Sequence, residues 1–528
     1  MLILPCIIEH PFLMTKFKNS LAFTLVALLF TVLSINSFAQ DIDWGQLQHA
    51  DDKDFYPRLV GDDESRFYTY RFLEGNCYLE AFRKNDMQLD YSELIEPGKI
   101  EGNKAAIRKV SFIGDQYIVF KTYYSKSTKE TKIIGQSIDA TTLESSKPVE
   151  FFSVEVEKKK RQGKFYIWVS PDRSRILLNH YAYYKEYREY RDKYKLIDRN
   201  LNVLVEREDV FDKGERDYST SDYRLDNNGS FYFRKQYDEY RTSIVCYEAQ
   251  RNYREWERPI KTGDLGMADD SYITHTVFSI NKNNDLIITG YYTEGDNKFD
   301  GCFYLRLDSE SHKIVSSKLN KFSQDFKDEF ITERNLFDEK PEFNNDFGNM
   351  SIYHKADGGI VLVGERFKWY QIRSRNSVTN YYTYGDLVVL NMNNQGELVW
   401  SNRIPKPQKY DDGIGSLLSK DTRTTDYYSY LAGFDNEKMV ILYNDHLKNT
   451  LNQNEQGRLK ALKNVNNAQV TMYSIDMRSG AKSKTLFPAA RDTEVLLMPS
   501  TYYQRNQDSP VIVFGRKHKK YKFGVLTL

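Results

Sequence analysis

The sequence predicts an all-β protein, a single β-propeller of eight four-stranded blades, and three observations carry that prediction. A unit of strand, tight polar turn and strand recurs along the chain. It is clearest at 386–402 (DLVVLNMNNQGELVWSN) and returns at 133–152, 195–208, 303–319 and 470–487. Self-similarity at a period of tens of residues marks a repeat architecture. Aromatic residues are abundant, with 40 Tyr and 31 Phe. They fall in alternating runs such as FYTYRF (67–72), QYIVFKTYY (116–124) and SFYFRKQY (230–237), the period-two pattern of a pleated, partly buried surface. Short Asn, Asp and Gly clusters punctuate the runs and supply the turns.

Taken in order, the chain opens on a targeting segment. Lys16 and Lys18 stand behind Met14, the apolar run 21–33 follows, and Ser37 and Ala39 occupy the small-residue positions of a cleavage site. Residues 1–39 therefore read as a signal peptide, with Met14 as the alternative start, and 40–528 as the propeller domain. The apolar run is shorter than the ~20 residues a spanning helix needs, and no later stretch is longer. The first hairpin of each unit then turns at 61–63, 114–115, 171–172, 227–229, 283–285, 357–359 and 435–436. The spacing is roughly 53–57 residues at first and roughly 71–78 later. A last unit, 494–528, has room for three strands only. The mature N-terminus, IDWGQLQ (42–48), is the expected fourth, closing the ring and removing exposed sheet edges. Seven blades is the alternative if these two ends pair differently, and a two-domain all-β arrangement is the rival architecture.

Two of these hairpins carry a family likeness. VSPDRSRILL (169–178) resembles the SPDG-R-hydrophobic turn of exported bacterial TolB-type and WD40-like propellers, with Arg173 where that family has Gly. HKADGGIVLVGER (354–366) is similar to the DGG-hydrophobic-Gly repeats of large exported bacterial propellers. The resemblance implies architecture. Propellers of this kind serve as binding scaffolds and a minority are enzymes, so the fold does not settle the activity.

Composition narrows the partners. The formal net charge is +1, and loss of residues 1–39 removes Lys16, Lys18 and Glu9 and leaves the charges balanced. A balanced chain steers neither toward nucleic acid nor toward anionic membrane. The run 158–161 (KKKR) sits between Glu155 and Glu157 and reads as a solvated loop. Cys77, Cys246 and Cys302 remain after cleavage, each on the third strand of a different unit. Their separation predicts free, buried thiols rather than disulfides.

The working face follows from loop length. Turns between the first and second and between the third and fourth strands are short. Insertions fall between the second and third strands (367–385, 444–469) and between units (320–349, 405–428), so all four emerge on one rim. Long loops on a rigid frame are where function concentrates. In 367–385, Trp369, Tyr370, Tyr381, Tyr382 and Tyr384 interleave with Arg373 and Arg375. Tyr, Trp and Arg give large contact area at low entropy cost, and aromatic faces stack on sugar rings. The plainer reading is a long hairpin whose tyrosines pack on each other. A second aromatic hairpin, 181–194, reads as a self-satisfied ribbon. In 444–469, Asp445 and His446 are a candidate carboxylate–imidazole pair, without a third ligand at a metal-site spacing. Residues 456–464 read as a short helix and 324–339 as an amphipathic one, with Phe326 and Phe330 on its apolar face.

These readings predict an exported binding or scaffold propeller that holds a protein or a glycan of the cell envelope on its long-loop face, with no metal and no cofactor. The chain ends on a predicted core strand, which favours the periplasm over the outside. The alternative is a hydrolase or lyase acting on carbohydrate or peptide in the axial funnel, with Asp411, Asp412, Asp445 and His446 as candidates. Linear signatures of such enzymes, among them G-x-S-x-G, H-E-x-x-H and C-x-x-C, do not occur.

Overall fold

The computed structural model describes residues 42–50, 55–156, 163–184, 187–212, 218–238, 241–268, 270–295, 299–331, 347–374, 378–411, 424–451, 459–507 and 509–528. The leader and the basic run 158–161 lie outside these. Asp43–Leu526 forms one compact unit, and its strands make eight antiparallel sheets arranged as the eight blades of a β-propeller. Blade 1 comprises Arg58–Asp62, Arg66–Leu73, Asn76–Arg83 and Leu89–Ile95, and blade 2 comprises Asn103–Ile113, Gln116–Ser125, Glu130–Asp139 and Val149–Glu155. Blade 3 runs Lys164–Val169, Arg175–Tyr184, Glu189–Asp198 and Val203–Asp212; blade 4 runs Ser219–Leu225, Phe231–Gln236, Thr242–Glu248 and Arg254–Pro259. Blade 5 is Ser271–Ile280, Leu286–Glu294, Gly301–Leu307 and Ile314–Lys321; blade 6 is Phe347–His354, Ile360–Arg373, Val378–Met392 and Leu398–Ile404. Blade 7 holds Leu431–Phe434, Lys438–His446, Ala468–Asp476 and Lys482–Ala489. Blade 8 holds Leu496–Tyr503, Val511–Lys517 and Lys520–Leu526, with Ile42–Trp44 and Gln48–His49 both paired to Lys520–Leu526.

The first hairpins of blades 2 to 7 turn at the residues read from the sequence; in blade 1 Gly61 and Asp62 still belong to the first strand and the turn lies at 63–65. Short Asx turns explain why. In blade 5, for example, the Asn281 side chain accepts from the backbone N–H of Asn283 and Asp285, both at 2.9 Å. Burial follows strand position. Thr242–Glu248, a third strand, is buried along its whole length, whereas the outermost strand Val203–Asp212 alternates between half-buried and exposed residues. Interior strands pack on both faces and so read as continuous apolar runs.

The core lies between blades rather than within them. Ile118, Phe120 and Ile133 of blade 2 pack on Ile176, Leu178 and Ile197 of blade 3. Val361, Val363 and Val389 of blade 6 pack on Phe434, Ile441 and Tyr473 of blade 7. Cys77, Cys246 and Cys302 are buried in these layers as free thiols.

One local expectation changes. Residues 459–464 are not helical: Leu462 instead bridges in parallel to Gln408. A short helix lies earlier in that insert, at Leu447–Leu451. The amphipathic segment forms a helix at Gln324–Ile331, and Phe326 and Phe330 bury against Phe322, Tyr291 and Phe347. It is part of the blade 5–6 core. Residues 332–339 of the expected helix lie outside the described residues.

Candidate functional site

The insert 367–385 extends the central hairpin of blade 6 beyond the ring. Trp369 pairs with Tyr382 and Tyr370 with Tyr381 across this ribbon. The link after blade 6 folds back onto it as a third strand, Gln408–Asp411, with Tyr410 opposite Tyr382 and Gln408 opposite Tyr384. Alternation divides the aromatics between two faces. On one, Tyr370 and Tyr381 stack at 4.9 Å between centroids, and Arg373 donates to Gln371 Oε1 at 2.7 Å. On the other, Phe367, Tyr384, Tyr428, Tyr410 and Tyr382 form a continuous run, with successive ring centroids 5.1, 6.0, 5.6 and 5.9 Å apart. Trp369 and Tyr370 are 53% and 44% exposed. The tyrosines do pack on each other, and the ribbon still offers aromatic surface to solvent.

The inner end of this run enters a cleft of about 390 Å³ between the first strands of blades 6, 7 and 8. Blade 6 contributes Asn349, Ser351 and Tyr353; blade 7 contributes Ser429, Tyr430 and Ala432; blade 8 contributes Ser500 and Tyr502. Tyr384, Thr425 and Asp426 complete the lining from the long-loop side. Backbone irregularity accompanies the opening. The first strands of blades 6 and 8 lose register at Gly348/Ser351 and Leu497/Tyr502, and Asn349 sits at φ 46°. Such bulges re-aim side chains beside binding sites. Burial pushes the Tyr353, Tyr430, Tyr502 and Tyr384 hydroxyls above the ordinary tyrosine pKa, so all four are neutral donors. At the far end, Gln507 from the blade 8 hairpin loop accepts from His354 N at 2.9 Å and donates to the His354 carbonyl. That exchange ties blades 8 and 6 together below the cleft.

Beneath the cleft lies a charged network with no signature in the sequence pattern. Glu365 and Lys406 are both fully buried, and Lys406 Nζ lies 2.5 Å from Glu365 Oε1. Glu365 Oε2 accepts from Asn349 Nδ2 at 2.6 Å and from Ser429 Oγ at 2.8 Å. Lys406 Nζ also donates to Gln408 Oε1 at 3.1 Å, and its backbone N–H donates to Asp386 Oδ1 at 3.1 Å. Asp386 in turn binds Arg403 Nε at 2.7 Å. Burial pulls the Lys406 pKa below the ordinary lysine value, against the opposing pull of Glu365. Buried charges persist only when paired and hydrogen-bonded. Here they hold blade 6, its following link and the entry to blade 7 in one arrangement.

Asp445 and His446 lie apart from this lining, buried at the end of a blade 7 strand. Asp445 Oδ1 accepts from His446 N at 2.7 Å and from Asn449 Nδ2 at 2.8 Å. The His446 ring accepts from Lys448 N at 3.0 Å through Nδ1. Asn449 then clasps the Lys460 backbone through both its amide atoms. Each side chain of the expected pair thus takes a backbone donor and shapes the insert. Asp411 ends the third strand of the ribbon, and Asp412 lies outside the described residues. Among the described residues no group of three or more His, Cys, Asp or Glu side chains is placed to hold a metal ion, and no helix is long and apolar enough to cross a membrane.

On the opposite rim one side chain bridges several blades. Arg173 reaches from blade 3 to the carbonyls of Val60 (2.7 Å) and Phe112 (3.2 Å), on blades 1 and 2. Its guanidinium also lies 4.9 Å from the ring centroid of Tyr503 on blade 8. One side chain thereby joins four blades.

The sequence matches no protein-family model and no curated protein. Among solved structures the chain is similar to a prolyl endopeptidase, at 11% identity over 88% of this chain and 55% of that one with a TM-score of 0.40. It is similar to the WD40 domain of SCAP from fission yeast, at 8% identity over 92% and 95% with a TM-score of 0.37. It is also similar to the polysaccharide lyase Uly1, at 10% identity over 92% and 100% with a TM-score of 0.38. The chain spans little more than half of the prolyl endopeptidase, 55% of its length. Likenesses at this level say nothing of activity.

Proposed function

We propose that this chain is an exported binding or scaffold propeller of the cell envelope, periplasmic rather than extracellular, whose long-loop rim captures a protein or a glycan. One observation carries the reading: the aromatic run that leads from the exposed ribbon at Trp369 and Tyr382, through Tyr384, into the cleft between blades 6 and 8. A ribbon backed by a third strand and anchored on a buried ion network is a rigid platform, and rigid aromatic surface is what binding sites use. The leader-like segment 16–39 supports export. The alternative, a hydrolase acting on a glycoside, calls for two carboxylates flanking one bond. Among the described residues Asp426 is the one carboxylate of the lining, which favours binding.

The test is affinity capture from the native envelope with the intact chain and a variant lacking 368–383, side by side. Recovery of a partner by the intact chain and its loss with the variant, whose melting temperature stays unchanged, supports the reading. Equal recovery by both overturns it.

A further inference from the structure

We propose that the cleft between the first strands of blades 6, 7 and 8 is a subsite for a neutral saccharide: a mono- or disaccharide, or the end of a longer glycan. The proposal rests on the long-loop rim being the working face, and it names the ligand.

Size and shape come first. A volume of about 390 Å³ falls within the roughly 300–1,000 Å³ of small-molecule sites. The Gln507–His354 exchange ties blade 8 to blade 6 next to the lining residue Tyr353. Chemistry comes next. Tyr502 is 43% exposed although it stands on an innermost strand, and among the described residues no aromatic ring stacks on it. An uncovered ring facing a cleft offers its face to the apolar side of a pyranose. Ser351, Ser429 and Ser500 sit between the tyrosines; Ser429 and Ser500 donate to Glu365 Oε2 and the Tyr428 carbonyl, which leaves their oxygen lone pairs to accept from the hydroxyls of a sugar. Charge decides the class. The tyrosines are neutral, Asp426 is the one carboxylate of the described lining, and no lysine or arginine lines it. Lys406, joined to the lining residues Asn349 and Ser429 through Glu365, is fully buried and spent on Glu365 and Gln408. Phosphate, sulfate and uronate groups thus meet no counter-charge among the described lining residues.

The experiment is isothermal titration of the purified chain with cellobiose, maltose, di-N-acetylchitobiose, digalacturonic acid and glucose 6-phosphate, with saturation-transfer NMR on the same samples. At least one neutral disaccharide is expected to bind with a dissociation constant in the micromolar to low millimolar range. The two charged sugars should bind at least tenfold more weakly. Y502A should weaken the neutral sugar at least tenfold; Y502F, which keeps the ring and the fold, should retain it. The 368–383 deletion would join Phe367 directly to its cross-strand partner Tyr384, a cleft residue, so sugar binding is scored on Tyr502 variants of the intact chain. Binding by none of the neutral sugars, preference for a charged one, or Y502A binding as the intact chain does would each overturn the proposal. Those failures are separable from failure of the rim reading, because partner capture is scored on the deletion variant and the cleft on Tyr502.

Discussion

Lys406 and Glu365 show how much a single pair of side chains can carry. Both are fully buried and 2.5 Å apart. K406M leaves Glu365 charged and unpaired and is expected to cost about 3–5 kcal/mol. Adding E365L to K406M should recover most of that loss, because an apolar pair leaves no orphan charge. Urea denaturation of the two single variants and the double variant reads this directly, and simple addition of the single losses would refute it. Asp445 makes a pH-dependent prediction. Burial raises its pKa to about 6, partly offset by the Asn449 hydrogen bond and Lys484, whereas the unfolded value is about 3.9. Between those values the folded chain keeps a proton that the unfolded chain has lost. Asp445 therefore draws stability down as pH rises from about 4 to about 6, by about 3 kcal/mol, and its contribution levels off above. D445N keeps an oxygen for the His446 and Asn449 donors and cannot ionise. Relative to the intact chain it should gain that amount between pH 4 and pH 7, and a constant difference across the range would refute the assignment.

Turns and hairpins are the scale at which the sequence was most readable. The first-hairpin turns were legible because Asn and Asp side chains in six of them accept from backbone N–H groups two to four residues on, while in blade 2 Gly114 takes φ 60°. The ribbon at 367–385 was legible as aromatic, and its pairing as a hairpin was one of the two readings its composition allowed. The cleft was not legible. Its walls come from strands of three blades, and its floor pairs Glu365 with a lysine in an irregular link, where no periodicity signals burial. Residues 456–464 misled for a related reason: a Lys- and Leu-rich stretch has helical propensity, but the described part, 459–464, is claimed by contacts to the link, with Leu462 N–H donating to Pro407 O at 2.8 Å. Arg173 is a second case, since it stands where the resembling propellers have Gly and takes φ 57°. That backbone costs a side-chain-bearing residue about 1–2 kcal/mol, and here it aims the guanidinium at two carbonyls on other blades. R173A should lose those contacts and keep the strain. R173G should lose the contacts and relieve the strain, leaving it about 1 kcal/mol more stable than R173A in thermal or urea melts. Equal stability would mean that the turn relaxes.

Across the whole ring, the three thiols report on cooperativity. Cys77, Cys246 and Cys302 lie in blades 1, 4 and 5, all free and buried. Burial pushes Cys77 and Cys302 up to about 12 and raises Cys246 well above the ordinary thiol value, so none reacts as a thiolate in the folded state. Labelling requires opening. A ring whose core lies between blades has no blade that opens alone, so the three thiols should label at one common rate, roughly 10³-fold or more below that of the unfolded chain. Mass spectrometry of labelled peptides would show this, and a blade-specific rate would refute it. The pairing of Gln48–His49 with Lys520–Leu526 has a consequence for assembly. Tyr521 and Gln48 bond across 473 residues of chain, so the eighth blade is completed only when two segments distant in sequence meet. Without Ile42–His49 the strand Lys520–Leu526 would keep an open edge, the kind that pairs with other chains.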